Sequence, residues 1–227
     1  MKKITVKNLI QFRGKKEKSK LTFINNLKKE KKKSENGDEG GDYWISALSA
    51  VRNTFKFNDE RLLDEKIEEL NEKIKLKELK RIKDQYARNI DLLNTFKDLN
   101  KEVLKPKSEL KFLKQPKEKS ILQINGLPIE AKPCHIYSFS ENNSEEVGGI
   151  WFVAVLDGYK KTELGMFAEI MYRYLHINFS KDYFVNSKFC IVVDLATGQE
   201  VCYEEVQNGS LPSLIEVTIN DLKNLLG

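Results

Sequence analysis

The stretch between Gly148 and Glu204 holds the strongest apolar pattern in the chain and most constrains its fold. Residues 150–156 and 189–195 are nearly continuous apolar runs, which are typical of strands covered on both faces. Between them, residues 160–175 repeat apolar positions at the helical period. A shorter strand-like segment follows at 200–206. This order predicts a strand–helix–strand–strand (βαββ) core.

Earlier segments predict further strands and an α+β or α/β class. Residues 4–12 alternate in part and predict an N-terminal strand with a bulge. Residues 120–139 predict a hairpin, because Asn125–Gly126 is a typical turn dipeptide. With a short strand inside 108–113, these segments predict one mixed sheet of about five to seven strands.

The chain is predicted to form a single α/β domain, 1–227, with three additions to a core that lies mainly at 108–227. The additions are a basic segment at 14–33, a flexible loop at 34–42 and a helical insertion at 42–100. Two apolar stripes within 58–100 favour a helical hairpin. A single long helix is the alternative, because no Gly or Pro separates the two stripes.

Local signals predict several element boundaries. Polar side chains predict helix N-caps, which are Ser19, Thr162 and Asn220. Residues 140–149 are polar and predict a loop, in which Gly148–Gly149 allows a bend or a bulge.

Lysine clustering indicates a polyanionic partner. The net charge is only +5, since 39 basic residues face 34 acidic ones, so a basic surface requires clustering. The predicted phosphate contacts are Lys15, Lys16, Lys18, Lys20, Lys28, Lys29, Lys31, Lys32 and Lys33. Arg13 is the only arginine beside them, so bidentate reading of bases is not expected. Phe12 and Phe23 flank the cluster, either as core residues or as platforms for bases.

An acidic series suggests a rival function. Glu169 lies on the predicted helix, Asp194 ends the next strand and Glu200 begins the following one. This order resembles the core of the PD-(D/E)XK nucleases, whose carboxylates hold Mg²⁺ and whose lysine orients the attacking water. The resemblance covers at most the last third of the chain. It departs from the family at Cys202, which stands in the position of the lysine.

Other chemistries lack a sequence pattern. The chain has two histidines and three cysteines, without metal-ligand spacing or a CxxC pair. Cys134 and His135 are adjacent, so on a strand they point to opposite faces and are not expected to act as a catalytic pair. Neither a Gly-rich phosphate loop nor a membrane span is present, and no secretory signal is recognised. We expect no cofactor, apart from Mg²⁺ under the nuclease hypothesis.

These observations predict a non-catalytic, cytoplasmic accessory protein that binds DNA or RNA through phosphate contacts. The first alternative is a Mg²⁺-dependent nuclease with a degenerate PD-(D/E)XK-like core. The second is a protein-interaction module, in which residues 58–100 bind a partner protein or another copy of the chain.

Overall fold

The structure of the protein, a computed structural model, describes residues 3–28, 43–116, 120–141 and 143–226. Within these ranges the elements follow the order β1 (Ile4–Thr5), α1 (Val6–Arg13), α2 (Glu17–Lys28), α3 (Ile45–Phe57), α4 (Arg61–Lys75), α5 (Lys80–Asp98), β2 (Lys111–Leu113), β3 (Ile121–Ile124), β4 (Leu127–Glu130), β5 (His135–Glu141), β6 (Ser144–Val153), α6 (Lys161–Phe179), β7 (Phe184–Asp194), β8 (Glu200–Cys202), α7 (Tyr203–Gln207) and α8 (Ile215–Leu226). The α+β class is confirmed. The predicted flexible loop at 34–42 lies outside the described residues.

A five-stranded mixed sheet has the strand order β2-β5-β6-β7-β8. The pair β6–β7 is parallel and is joined by α6, whereas the other neighbours are antiparallel. The predicted loop at 140–149 is wrong for most of its length, because β5 continues to Glu141 and β6 begins at Ser144, and the two strands pair. The bulge predicted at Gly148–Gly149 is confirmed, since the register between β6 and β7 shifts between Val147 and Gly149. A Cβ atom at Gly148 would lie 2.6 Å from the carbonyl oxygen of Phe189, so only glycine fits there.

The N-terminal strand does not join this sheet, which corrects the expectation of one sheet. It lies parallel to β4 in a separate three-stranded sheet of order β1-β4-β3. The turn predicted at Asn125–Gly126 is confirmed, with φ values of 49° and 80°. The predicted extension of that hairpin through β5 is wrong. Residues 131–134 carry the chain to the large sheet, and Pro133 within them has no N–H for a ladder.

Helices cover both faces of the large sheet. On β7, Cys190 and Val192 belong to a core shared with α6, α1 and α8. The alternate residues Ile191 and Val193 belong to a second core shared with α3, α4 and α5. Because neighbouring side chains point to opposite faces, the burial of both faces explains the continuous apolar run.

The predicted strand at 4–12 is wrong after its first two residues. Helix α1 begins at Val6 because Thr5 caps it. The backbone N–H of Asn8 donates to Thr5 Oγ1 at 3.1 Å, and the N–H of Thr5 donates to Asn8 Oδ1 at 3.0 Å. The apolar side chains of this segment are buried at helical spacing.

Several other boundaries differ from the prediction. The helices expected to begin at Ser19, Thr162 and Asn220 begin earlier, at Glu17, Lys161 and Ile215. In α6 the first turn is closed by Glu163, whose carboxylate accepts from the backbone N–H of Lys160 at 2.9 Å. The strand predicted at 200–206 ends at Cys202 and is followed by the short helix α7.

The helical insertion contains α3 and two helices, α4 and α5, that pack against each other. They run antiparallel, since Lys97 near the end of α5 lies 2.6 Å from Asp64 near the start of α4. The ring of Phe96 on α5 meets the ring of Phe152 in the sheet edge-on, at 5.4 Å between centroids. The insertion therefore covers one face of the sheet.

The described helices do not include one that is both long enough and apolar enough to cross a membrane. The 19-residue α6, for example, carries Lys161, Glu163, Glu169 and Arg173.

Candidate functional site

The first carboxylate of the nuclease hypothesis, Glu169, is bound by side chains of the protein itself. Its side chain is buried on α6, where Arg173 lies 2.7 Å from one carboxylate oxygen. The hydroxyl of Ser213 donates to the other oxygen at 2.9 Å. Arg173 also binds Glu216 on α8 at 2.7 Å. Glu169 thus helps to join α6 to the C-terminal helix.

The other two carboxylates do not complete a metal site. Asp194 is fully buried and accepts hydrogen bonds from the backbone N–H groups of Tyr159 and Ala196, at 2.7 Å and 3.0 Å. Burial, and then the neighbouring Glu205, raise the pKa of Glu200. In the part of the chain that the structure describes, no group of three or more His, Cys, Asp or Glu side chains is placed to hold a metal ion. The geometry therefore gives the Mg²⁺ hypothesis no support.

Five of the nine predicted phosphate contacts lie within the described residues, on α2 or just before it: Lys15, Lys16, Lys18, Lys20 and Lys28. We call residues 15–28 the lysine helix. Lys20 is 2.5 Å from Glu17, and within the described chain the other four form no ion pair with a carboxylate. The remaining predicted contacts, Lys29, Lys31, Lys32 and Lys33, lie outside the described residues.

The two aromatic residues beside the lysine helix serve its packing. Phe12 is fully buried, so it cannot stack on a base, and that alternative is wrong for it. The half-buried ring of Phe23 lies 6.4 Å from that of Phe12. Lys15 and Lys20 extend over the rings of Phe23 and Phe12, at 5.3 Å and 5.2 Å.

The second basic region is a surface cleft with a volume of about 960 Å³. It lies beside the edge strand β2, the beginning of β5 and helix α3. We call it the basic cleft and define it by nine of its lining residues, which are Lys3, Arg52, Lys56, Phe112, Lys114, Glu130, Lys132, Cys134 and His135. Among the described residues that line it, five are Lys or Arg and one is acidic, so the formal charge is 5 − 1 = +4. Its volume is within the usual range for ligand sites, about 300–1,000 Å³.

The arginine of the cleft is held in place by a neutral group. Arg52 Nε donates to Cys134 Sγ at 3.1 Å, and the backbone N–H of Phe152 donates to the same sulfur at 3.3 Å. Burial raises the pKa of the Cys134 thiol, so the sulfur carries no charge at neutral pH. Arg52 is therefore oriented by a partner that leaves its positive charge uncompensated.

His135 joins α3 to the sheet. Its Nε2 lies 2.9 Å from the carbonyl oxygen of Arg52, and since a carbonyl only accepts, Nε2 carries the proton. Burial lowers the pKa of His135, and the positive charges of Lys56 and Arg52 lower it further. The ring is therefore neutral at pH 7, and its lowered pKa reflects burial first and the positive charges of the cleft second.

Glu130 neutralises part of the cleft. Its carboxylate lies 2.5 Å from Lys3 Nζ and 2.9 Å from Lys132 Nζ. Burial raises the pKa of Glu130, but the hydrogen bonds from the two lysines outweigh it and keep the pKa below its usual value. Three cations remain, Arg52, Lys56 and Lys114, and within the described residues none of them forms an ion pair with a carboxylate.

The comparisons with known proteins assign no family to this chain: it matches no protein-family model, no curated protein and no solved structure.

The basic cleft was not predicted, because most of its residues are distant in sequence. One local signal was available. Arg52 and Lys56 are four residues apart, which places them on one face of a helix, and residues 43–58 contain no Asp or Glu. Lys3, Lys114 and Lys132 reach the same cleft only through the pairing of β1 with β4 and of β2 with β5.

Proposed function

We propose that this protein binds nucleic acid through phosphate contacts in the basic cleft, without catalysing its cleavage. The observation that carries the proposal is the set of three cations, Arg52, Lys56 and Lys114, around a concave site that holds one carboxylate among its described lining residues. A concave arrangement of like charges focuses the potential on an incoming polyanion.

The two groups in the cleft that could act in catalysis, Cys134 and His135, are engaged in hydrogen bonds within the protein, which supports a binding role. Burial keeps Cys134 protonated, and His135 uses its Nε2 proton in the bond to the Arg52 carbonyl. A phosphate in the cleft would therefore meet guanidinium and ammonium groups rather than a thiolate. The guanidinium of Arg52 retains N–H groups beyond Nε, and these suit the oxygens of a phosphate.

The lysine helix offers a second set of phosphate contacts under the same proposal. Lys16, Lys18 and Lys28 are exposed, and within the described chain they have no carboxylate partner. We include a cytoplasmic location in the proposal, because all three cysteines are free thiols, as in proteins of reducing compartments.

The binding should depend strongly on salt. Three phosphate contacts predict a slope of log affinity against log salt of about −2 for single strands and about −3 for duplex DNA. Fluorescence anisotropy with labelled DNA and RNA oligonucleotides, between about 50 and 200 mM salt, measures this slope.

The decisive variant is Arg52→Gln/Lys56→Gln/Lys114→Gln. It should lower the affinity at least about tenfold and reduce the steepness of the salt dependence by about two. The matched control Lys161→Gln/Lys181→Gln/Lys223→Gln removes three exposed lysines outside the cleft and should change affinity by less than about twofold. Equal losses in both variants, or affinity that does not respond to salt, would reject the cleft as the binding site.

One observation favours a second function, protein interaction through the insertion. Leu76 and Leu79, in the turn between α4 and α5, are 80% and 66% exposed. Exposed leucines at the tip of a helical pair suit contact with a partner or with another copy of the chain. Light scattering over a range of concentrations, with Leu76→Ser/Leu79→Ser as the variant, tests self-association. A monomer at all concentrations would reject it.

A further inference from the structure

We infer that the basic cleft holds an unpaired nucleotide, with its base stacked on Phe112 and its phosphate bound by Arg52 and Lys56. The ligand would then be single-stranded nucleic acid rather than a duplex. This inference rests on the proposed function and makes it more specific. It starts from an aromatic ring that lines a cationic cleft and is not fully buried.

Phe112 packs against other aromatic rings although it is part of the cleft wall. It lies on the edge strand β2, opposite Tyr137 on β5. Its ring meets three others nearly edge-on: His135 at 5.3 Å, Tyr137 at 6.2 Å and Phe55 at 6.4 Å between centroids. The ring stays only half-buried despite these contacts. A rigid aromatic ring loses little conformational entropy when a ligand stacks on it.

The cations stand close to this ring. The rings of His135 and Phe112 form a T-shaped pair, and His135 Nε2 lies 2.9 Å from the backbone oxygen of Arg52. One side chain therefore separates the aromatic wall from the turn of α3 that carries Arg52, with Lys56 one turn further along. An aromatic platform beside cations is the arrangement that binds single strands, since the bases stack while the backbone is neutralised.

The form of the site favours an unpaired base. In a duplex, each base is stacked on its neighbours, so its face cannot lie against a protein ring unless it is flipped out. A cleft of about 960 Å³ accommodates a ligand of nucleotide size. Since every base has a π-face, the preference should be for single strands in general and not for one sequence.

Three probes separate stacking from phosphate contact: a labelled oligothymidylate, a duplex of the same length, and inorganic polyphosphate as competitor. We expect the oligothymidylate to bind about 5-fold or more tightly than the duplex. Phe112→Leu should weaken its binding by about 5- to 100-fold and leave polyphosphate competition unchanged. Phe112→Trp should restore most of the affinity. The control Phe184→Leu changes an exposed aromatic residue outside the cleft and should have no effect.

A measurement on the wild-type chain avoids any folding defect of the Phe112 variants. At a pH well above the pKa of His135, a stacked base should shift the NMR signals of the histidine ring through the ring current of the base, whereas polyphosphate should move them much less. If duplex and single strand bind equally and Phe112→Leu has no effect, the inference is wrong and the proposed function stands. If none of the three probes binds, both are wrong.

Discussion

The lysine helix and the basic cleft carry similar numbers of cations but are built differently. The lysine helix is continuous in sequence, and Lys16, Lys18 and Lys28 are exposed on it. The basic cleft collects residues from Lys3 to Lys132 on several elements, and its Arg52 is fixed by Cys134 and the fold.

This difference concerns the entropy of binding. An exposed lysine loses rotamer freedom, worth up to about 2 kcal/mol, when it is fixed on a phosphate. Arg52 has already lost part of that freedom on folding, because its Nε is bonded to a neutral sulfur. Equal charge should therefore produce more affinity in the cleft than on the helix.

The largest predicted effect is the contrast between two triple variants. Lys16→Gln/Lys18→Gln/Lys28→Gln removes the same charge as the cleft variant, yet we expect it to lower oligonucleotide affinity only about threefold. The cleft variant Arg52→Gln/Lys56→Gln/Lys114→Gln should lose at least about tenfold. Anisotropy titrations at one salt concentration compare them directly. A larger loss from the helix variant would reverse the comparison and return the site to the lysine helix.

A gain of affinity is predicted from Glu130→Gln. The substitution releases Lys3 and Lys132 from their shared carboxylate. It raises the formal charge of the described lining from +4 to +5, because five cations then face no anion. Oligonucleotide affinity should rise about 2- to 5-fold, at a cost in stability of about 1 kcal/mol or less. Glu17→Gln is the matched control, because it releases Lys20 on the lysine helix and should change affinity by less than about twofold. A loss of affinity in Glu130→Gln would mean that the ion pairs position the cleft rather than mask it.

The elements that the sequence predicts best are those buried on both faces, because their side chains must then be apolar. Strand β7 contributes to cores on both of its faces, so residues 189–193 had to be apolar. Residues 4–12 were ambiguous, because their apolar positions fit both a bulged strand and a helix. The capping pair Thr5 and Asn8 decides for the helix, and an Asn in the third helical position is a weaker sequence signal than Glu or Gln.

The site was harder to predict than the fold. The lysine helix is visible as composition, but the cleft depends on β1 joining β4 and on β2 joining β5, and both are short edge strands with little pattern. The order of Glu169, Asp194 and Glu200 was visible too, but a linear order does not fix where side chains point. Glu169 is paired with Arg173, and Asp194 accepts a hydrogen bond from the backbone of the turn after β7.

Cys134→Ala tests whether orientation of Arg52 matters. The change leaves all cleft charges in place but removes the sulfur that accepts from Arg52 Nε and from the Phe152 N–H. We expect oligonucleotide affinity to fall about 2- to 4-fold and stability by about 1–2 kcal/mol. Cys134→Ser, which keeps an acceptor, should recover part of both. Unchanged affinity in Cys134→Ala, with the stability loss present, would show that preorganisation of Arg52 contributes nothing to binding.

The smallest effect should be a shift in the titration of His135, followed by NMR. Burial, and then Lys56 and Arg52, place its pKa below the usual 6.5. Between the lowered pKa and 6.5 the unfolded chain binds more protons, so the free energy of unfolding should decrease as the pH falls through that window.

A bound polyanion offsets the cations, so the pKa of His135 should rise on addition of oligonucleotide. Since burial is the larger cause, Arg52→Gln alone should raise it only slightly. The ring signals of His176, outside the cleft, are the internal control. If the pKa of His135 stays fixed while the oligonucleotide binds, the bound phosphates lie elsewhere, and the lysine helix becomes the better candidate.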